Sequence, residues 1–215
     1  MFPIPFRDFR NTALTKLFLP MTNLNHNIPT REEAFSLLKQ YTKSESLIIH
    51  ALAVESCMRY YARKNREDEE KWGVIGLVHD LDWDQFPEQH CKKTREILED
   101  ANWPEEYIRA VESHAYLTCT DVEPQSILEK TLYAVDELTG LVRTTALIRP
   151  SKSVLDVRVK SVKRNWKNKR FAAGVDRTVI ERGAEMLQIA IPDLIQGCIE
   201  AMQEVAEELE LKGNL

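Results

Sequence analysis

Apolar residues recur at helical spacing along most of the chain. The clearest run covers about residues 46–64, where apolar positions fall three or four residues apart: Leu47, Ala51, Val54, Met58 and Tyr61. This spacing places them on one face of a helix. Alternating runs are few and no Asn-Gly or Asp-Gly turn occurs, so strand signals are weak throughout. The pattern predicts an all-α fold.

Capping residues and prolines set the bounds of the predicted helices. Thr30, with Glu33 three residues later, forms a capping box that starts a helix through about Tyr41. Pro87 starts a helix that we expect to continue to Asp100. The other predicted helices cover about residues 46–64, 68–80, 104–116, 125–148, 152–167, 176–189 and 192–210.

Length and composition suit a globular protein. At 215 residues and 43% hydrophobic, the chain can build one large domain, or one domain plus an appendage. We expect an N-terminal arm over residues 1–29 and a helical core over residues 30–150. Residues 151–215 then form C-terminal helices with a basic tract, packed on the core as part of one domain.

Charge and cysteine usage exclude several classes of protein. The net charge of -5 argues against a nucleic-acid binder, although Arg149 to Arg182 holds eleven Lys and Arg against three Asp and Glu. The four cysteines are scattered without a C-x-x-C pair, and the N-terminal stretch lacks the apolar core of a signal peptide. We therefore expect a reduced, cytoplasmic protein that does not bind membranes.

Ionisable residues fall on or beside the apolar stripes of three predicted helices. They are His50, the adjacent pair His79–Asp80, and Asp136. Burying such groups is costly unless something pairs with them. A single histidine on an apolar face is more often a satisfied core residue, but this set favours a mixed nitrogen and oxygen metal site. Carboxylates favour Mg or Mn, and imidazoles favour Zn, Fe or Ni.

The order His50, His79–Asp80, Asp136 resembles the HD-domain superfamily of metal-dependent phosphohydrolases. The stretch "VHDLDWD" is similar to its signature doublet, and "LYAVDELTGL" to the helix that supplies its last aspartate. This resemblance covers roughly residues 30–148, and the tail "RPSK…VKSVKR…KRFAAGVDR" is similar to uncharacterised HDIG-type hydrolases. It implies a helical bundle in which His50, His79, Asp80 and Asp136 bind a divalent cation, which could be Mn, Mg, Fe, Co, Ni or Zn.

Two further histidines resemble those that complete a second metal site in two-metal members. His90 begins "HCKKTREIL" and His114 lies in "VESHAY". Cys91 stands where proline is usual, Ala115 stands where HD-GYP proteins carry another histidine, and no G-Y-P stretch is present. His90 and His114 are therefore candidates for a second metal or for substrate binding, and cyclic-di-GMP hydrolysis is disfavoured.

Other residues receive roles in catalysis or substrate binding. Asp80 and Asp84 are the candidate catalytic carboxylates, with Asp84 in proton transfer. Asp82 either supports a ligand histidine or caps the next helix. In the basic tract, we expect at least one of three lysines to hold substrate phosphate oxygens: Lys152, Lys160 and Lys163.

These observations favour an enzyme that cleaves a small phosphate ester, a nucleotide among the candidates, with a metal-activated water. Two alternatives stay open. The first is a nucleotide- or metabolite-sensing module whose metal site is structural and closed. The second is an oxygenase with a di-iron site of the HD type. The sequence leaves a homodimer open, and it does not identify the substrate or the metal.

Overall fold

The computed structural model of the protein describes residues 28–168 and 170–214, and over these residues the fold is all-α, as predicted. Its nine α-helices are α1 Arg31–Tyr41, α2 Glu45–Asn65, α3 Glu69–Val78, α4 Lys92–Asp100, α5 Glu105–Ser113, α6 Ile127–Leu147, α7 Val159–Arg164, α8 Arg177–Met186 and α9 Ile191–Glu204. The described residues pair as strands only in one isolated bridge, between Tyr116 and Thr120. The arm predicted over residues 1–29 lies almost entirely outside the described residues.

The two longest helices, α2 and α6, form the centre of the fold. Both have 21 residues, and most of their apolar side chains are buried. Helix α2 contacts α3, α6 and α9, and α6 also contacts α5 and α8. Capping boxes fix the start of α1 at Thr30, as predicted, and the start of α6 at Ser126. The ionisable residues of α2 and α6, His50 and Asp136, face each other across this contact and are partly buried.

A glycine allows α8 to pack closely on α6. A Cβ atom added to Gly183 would lie 2.6 Å from the Cα atom of Ala134, a distance that real side chains do not adopt. The absence of a side chain there lets α8 approach the segment of α6 that carries Asp136. This contact places residues 174–179, at the start of α8, beside the ionisable residues.

Two predicted helices are interrupted in the structure, and the one expected over residues 192–210 ends early, at Glu204. The helix expected from Pro87 to Asp100 is split, because Pro87–Gln89 forms a 3₁₀ turn and Cys91 has a φ of 66°, which no α-helix accommodates. The basic helix expected over residues 152–167 is helical only at Val159–Arg164. Lys152, with a φ of 50°, interrupts it at the start.

The C-terminal helices α8 and α9 contact α6 and α2. The division into an arm, a core and a C-terminal region stays a prediction. None of the helices that the structure describes combines the length and apolar character needed to cross a membrane.

Candidate metal centre

Six ionisable side chains from different elements converge at one end of the bundle. His50 lies on α2 and Asp136 on α6, while His79 and Asp80 follow the last residue of α3. His114 caps α5, and His90 ends the 3₁₀ turn. Each of the six was singled out from the sequence, and the structure brings all of them together.

The first group of ligand atoms, called position 1, consists of His50 Nε2, His79 Nε2, Asp136 Oδ1 and Asp80 Oδ2. The two Nε2 atoms are 3.2 Å apart, and Asp136 Oδ1 lies 3.0 Å from His50 and 3.3 Å from His79. Asp80 Oδ2 lies 3.7 and 3.5 Å from the same two nitrogens. Bonds of about 2.0–2.2 Å to one cation place ligand atoms roughly 3.0–3.5 Å apart, so position 1 fits a cation.

The second group, position 2, consists of His90 Nε2, His114 Nε2 and Asp80 Oδ1. Its two nitrogens are 3.2 Å apart, and Asp80 Oδ1 lies 3.5 Å from His90 and 3.3 Å from His114. The two oxygens of Asp80 therefore face different positions. Asp80 would contribute one oxygen atom to a cation at each position.

The hydrogen bonds behind the rings show that position 1 needs a positive charge. His79 Nδ1–H donates to the carbonyl oxygen of Gly76 at 2.8 Å. His50 Nδ1–H donates to Thr139 Oγ1 at 3.2 Å, because the hydroxyl proton of Thr139 goes to the carbonyl oxygen of Asp136. Both Nε2 atoms then carry lone pairs that point at each other, an arrangement that a cation between them stabilises.

Position 2 is built in the same way. His114 Nδ1–H donates to the carbonyl oxygen of Val111, and His90 Nδ1–H donates to Asp82 Oδ1 at 2.8 Å. Asp82 is fully buried, and its other oxygen accepts a hydrogen bond from the backbone N–H of Thr94. Asp82 therefore combines its two predicted roles, because it supports His90 and also accepts from Thr94 in the first turn of α4.

The pKa values of these groups reflect their mutual attraction. Burial alone would lower the pKa of His79, but the charges of Asp80 and Asp136 outweigh it and raise this pKa well above its ordinary value. Burial would raise the pKa of Asp136, yet the neighbouring imidazoles hold it far below its usual range. The carboxylates are thus ionised, and the centre attracts positive charge.

The ligand atoms lie at the floor of a cleft of about 370 Å³. The indole of Trp83 contacts the ring of His90 edge to face, with centroids 4.8 Å apart, and is 43% exposed. Apolar and small residues make up most of the wall, and they are Leu47, Ala115, Gly140, Gly174, Val175 and Val179. An open cleft over the candidate ligands leaves room for a substrate of small-molecule size.

The structure does not place Asp84 at this centre. Its Oδ2 atom accepts hydrogen bonds from the backbone N–H groups of Lys43 and Ser44, 2.7 and 3.0 Å away. These bonds fix the connection between α1 and α2, and Asp84 is not among the residues that line the cleft. The proton-transfer role expected for Asp84 therefore has no support in the geometry.

The lysines expected to bind phosphate lie elsewhere as well. Lys152, Lys160 and Lys163 are exposed, and none of them lines the cleft. The interruption at Lys152 and the short α7 leave the tract on the outer surface. Two arginines of the tract make contacts within the fold instead. Arg149 forms an ion pair with Asp156 at 2.7 Å, and Arg177 donates hydrogen bonds to backbone carbonyls of residues 171–175.

Several residues of the site carry little signal in the sequence. Thr139 supports His50, but a threonine within an apolar helix is ordinary. Gly174 and Val175 reach the cleft only because α8 packs on α6. Glu137 also lines the cleft, and it accepts a hydrogen bond from the backbone of Asp176. The sequence signal for Glu137 as a residue of the site is its position directly after Asp136.

Comparison with known proteins supports the family inferred from the motifs. Residues 47–141 match the family model of the HD domain, and this segment contains all six converging residues. Neither the curated proteins nor the solved structures contain a match to the chain. The resemblance drawn from His50, His79–Asp80 and Asp136 is confirmed.

Proposed function

We propose that this HD-domain protein is a metal-dependent phosphohydrolase that cleaves a small phosphate ester, a nucleotide among the candidates. The HD family supports metal-dependent hydrolysis in general, and the reaction and substrate are our inference. The observation that carries it is the convergence of four imidazole Nε2 atoms and two carboxylates beside an open cleft. A closed structural site would have no such cleft above its ligands.

Four donor atoms would hold a cation at position 1, and three donor atoms would hold a second cation at position 2. Asp80 would contribute one oxygen to each. When bound, divalent cations supply Lewis-acid polarisation of the phosphoryl group and increase the acidity of a water molecule. Gly76, Val111, Asp82 and Thr139 hold the imidazole rings in the tautomer that presents Nε2. Trp83 and the apolar wall exclude water from one side of the substrate.

The test is metal analysis combined with an activity assay. Protein purified without added metal is analysed for bound elements and then assayed against a panel of phosphate esters with Mn, Mg, Co and Ni. We expect phosphate release that requires a metal and is lost in His79→Ala together with the metal. Bound metal without turnover of any ester would favour the sensing module, and absence of metal binding would overturn the proposal.

An oxygenase is the second candidate, and the donor set is compatible with the iron that such an enzyme requires. Four imidazole nitrogens against two carboxylates suit Fe, Co, Ni or Zn better than Mg. Oxygen uptake distinguishes the oxygenase from the hydrolase. It is measured on the iron-loaded protein, with the redox-inert zinc form as control. A hydrolase releases phosphate in the zinc or cobalt form without consuming oxygen.

A further inference from the structure

The two positions differ in the number of donors that surround them. Position 1 has four donor atoms from His50, His79, Asp136 and Asp80, with separations of 3.0–3.7 Å. Position 2 has three donor atoms among the described contacts, and one of them belongs to Asp80, which both positions share. A cation there would benefit from a further protein donor.

Cys91 lies next to that position. One ligand atom each from His90, Cys91 and His114 lie within 4.8 Å of one another. Cys91 is 1% exposed, so its sulfur is shielded from solvent. Zinc–nitrogen and zinc–sulfur bonds of about 2.0 and 2.3 Å allow separations up to roughly 4.3 Å, so a shift of at most about 0.5 Å would bring the three ligand atoms onto a single cation.

The backbone at Cys91 has an unusual conformation. His90 has φ and ψ of -51° and 140°, and Cys91 has 66° and -42°. These values resemble the two central residues of a type II turn, where Gly or Asn is favoured at the second position. The turn separates the 3₁₀ turn from α4, and it keeps the cysteine side chain beside the two histidines instead of on the outer face of a helix.

We propose that Cys91 is a ligand of the cation at position 2, where its thiolate joins His90, His114 and Asp80. This inference rests on the two-cation centre of the proposed function. On coordination the S–H bond breaks, the sulfur keeps the electron pair and donates it to the cation, and the proton leaves to solvent. Oxidation state does not change in this step.

A thiolate would make the two positions chemically different. Position 1 would be a nitrogen and oxygen site, whereas position 2 would gain a soft ligand that selects Zn, Fe or Co over Mg and Mn. The protein is then expected to hold a thiophilic ion at position 2 even when Mg or Mn is in excess.

X-ray absorption of the zinc-loaded, unmodified protein tests this directly. With two ions bound, we expect one sulfur scatterer per two zinc ions at about 2.3 Å, beside nitrogen and oxygen scatterers at about 2.0–2.2 Å. A shell of nitrogen and oxygen alone, in a protein that still binds two ions, would overturn the thiolate ligand and leave the proposed function intact. Failure to bind zinc at all would overturn both.

Cobalt titration identifies the cysteine. The unmodified protein should develop a thiolate-to-cobalt charge-transfer band in the near ultraviolet, which Cys91→Ser abolishes and the control Cys119→Ser retains. Cys119 is a suitable control because it is exposed, lines the same cleft and lies outside the ligand group. We expect Cys91→Ser to weaken binding of one of two zinc ions at least about tenfold. Retention of the band in Cys91→Ser would contradict the assignment.

Discussion

Position 1 and position 2 share a carboxylate, yet they are built from different kinds of structure. The ligands of position 1 come from α2, α6 and the end of α3, and neutral groups, Gly76 and Thr139, support its imidazoles. The ligands of position 2 come from a turn and the end of the nine-residue α5, and a buried carboxylate, Asp82, holds His90. The rings of position 1 are therefore held by packed helices and neutral hydrogen-bond partners, whereas at position 2 the ring of His90 is held by a buried carboxylate.

The largest effect is expected from removing a ligand of position 1. Asp136→Ala deletes its closest carboxylate, 3.0 Å from His50, and leaves the more distant Asp80 as the remaining carboxylate beside the two imidazoles of position 1. We expect loss of at least one bound metal and more than about a 100-fold decrease in kcat/KM. Metal analysis and kinetics on one sample measure both. The exposed Asp193 on α9 provides a control variant, Asp193→Ala, which should change neither quantity.

Two substitutions compare the groups that hold the imidazole rings of position 1 and position 2. Asp82→Asn removes the buried charge that holds His90, and we expect the affinity for one of two metals to fall about 10–100-fold. Thr139→Val removes only a neutral hydroxyl behind His50, so its effect should be several times smaller. Titration calorimetry on metal-free protein measures both. Equal effects, or a larger one for Thr139→Val, would show that the two positions do not differ in this way.

The basic tract gives a smaller expected effect. Because Lys160 and Lys163 are exposed and absent from the cleft lining, Lys160→Ala and Lys163→Ala should change KM less than about twofold. Steady-state kinetics on any hydrolysed ester measures this. A tenfold rise in KM would restore these lysines to substrate binding and show that the tract reaches the cleft.

The smallest effect concerns Asp84, which lies outside both positions. Hydrogen bonds from the backbone of Lys43 and Ser44 lower its pKa, so its contribution to stability is present above the unfolded-state value and is lost as pH falls through the lower folded value. Asp84→Asn should reduce the free energy of unfolding by about 0.5 kcal/mol at pH 7, because solvent screens the group.

Urea unfolding at two pH values measures the effect of Asp84→Asn. The difference from the unmodified protein should shrink below about pH 4, where the unfolded carboxyl becomes protonated. Turnover at pH 7 should stay unchanged. A large loss of activity without a loss of stability would return Asp84 to the catalytic centre.

The bundle helices could be predicted because their signals are local. The capping box at Thr30 and the apolar stripe of α2 depend on residues within a few positions of each other, and both predictions are confirmed. The split between Pro87 and Asp100 could not be predicted in the same way. The left-handed conformation of Cys91 has no signature in a sequence that otherwise continues a helical pattern.

The sequence by itself indicated the resemblance to the HD domain, the all-α fold and the six side chains that converge. This was possible because each histidine or aspartate on an apolar helix face requires a polar or charged partner. A metal ion is one of the few partners that can satisfy six such groups together. Only the tertiary structure decided how these side chains divide into two positions, that Asp80 faces both, and that the basic tract lies outside the cleft. These outcomes depend on how α6, α8 and the turn at His90 pack, which involves residues far apart in sequence.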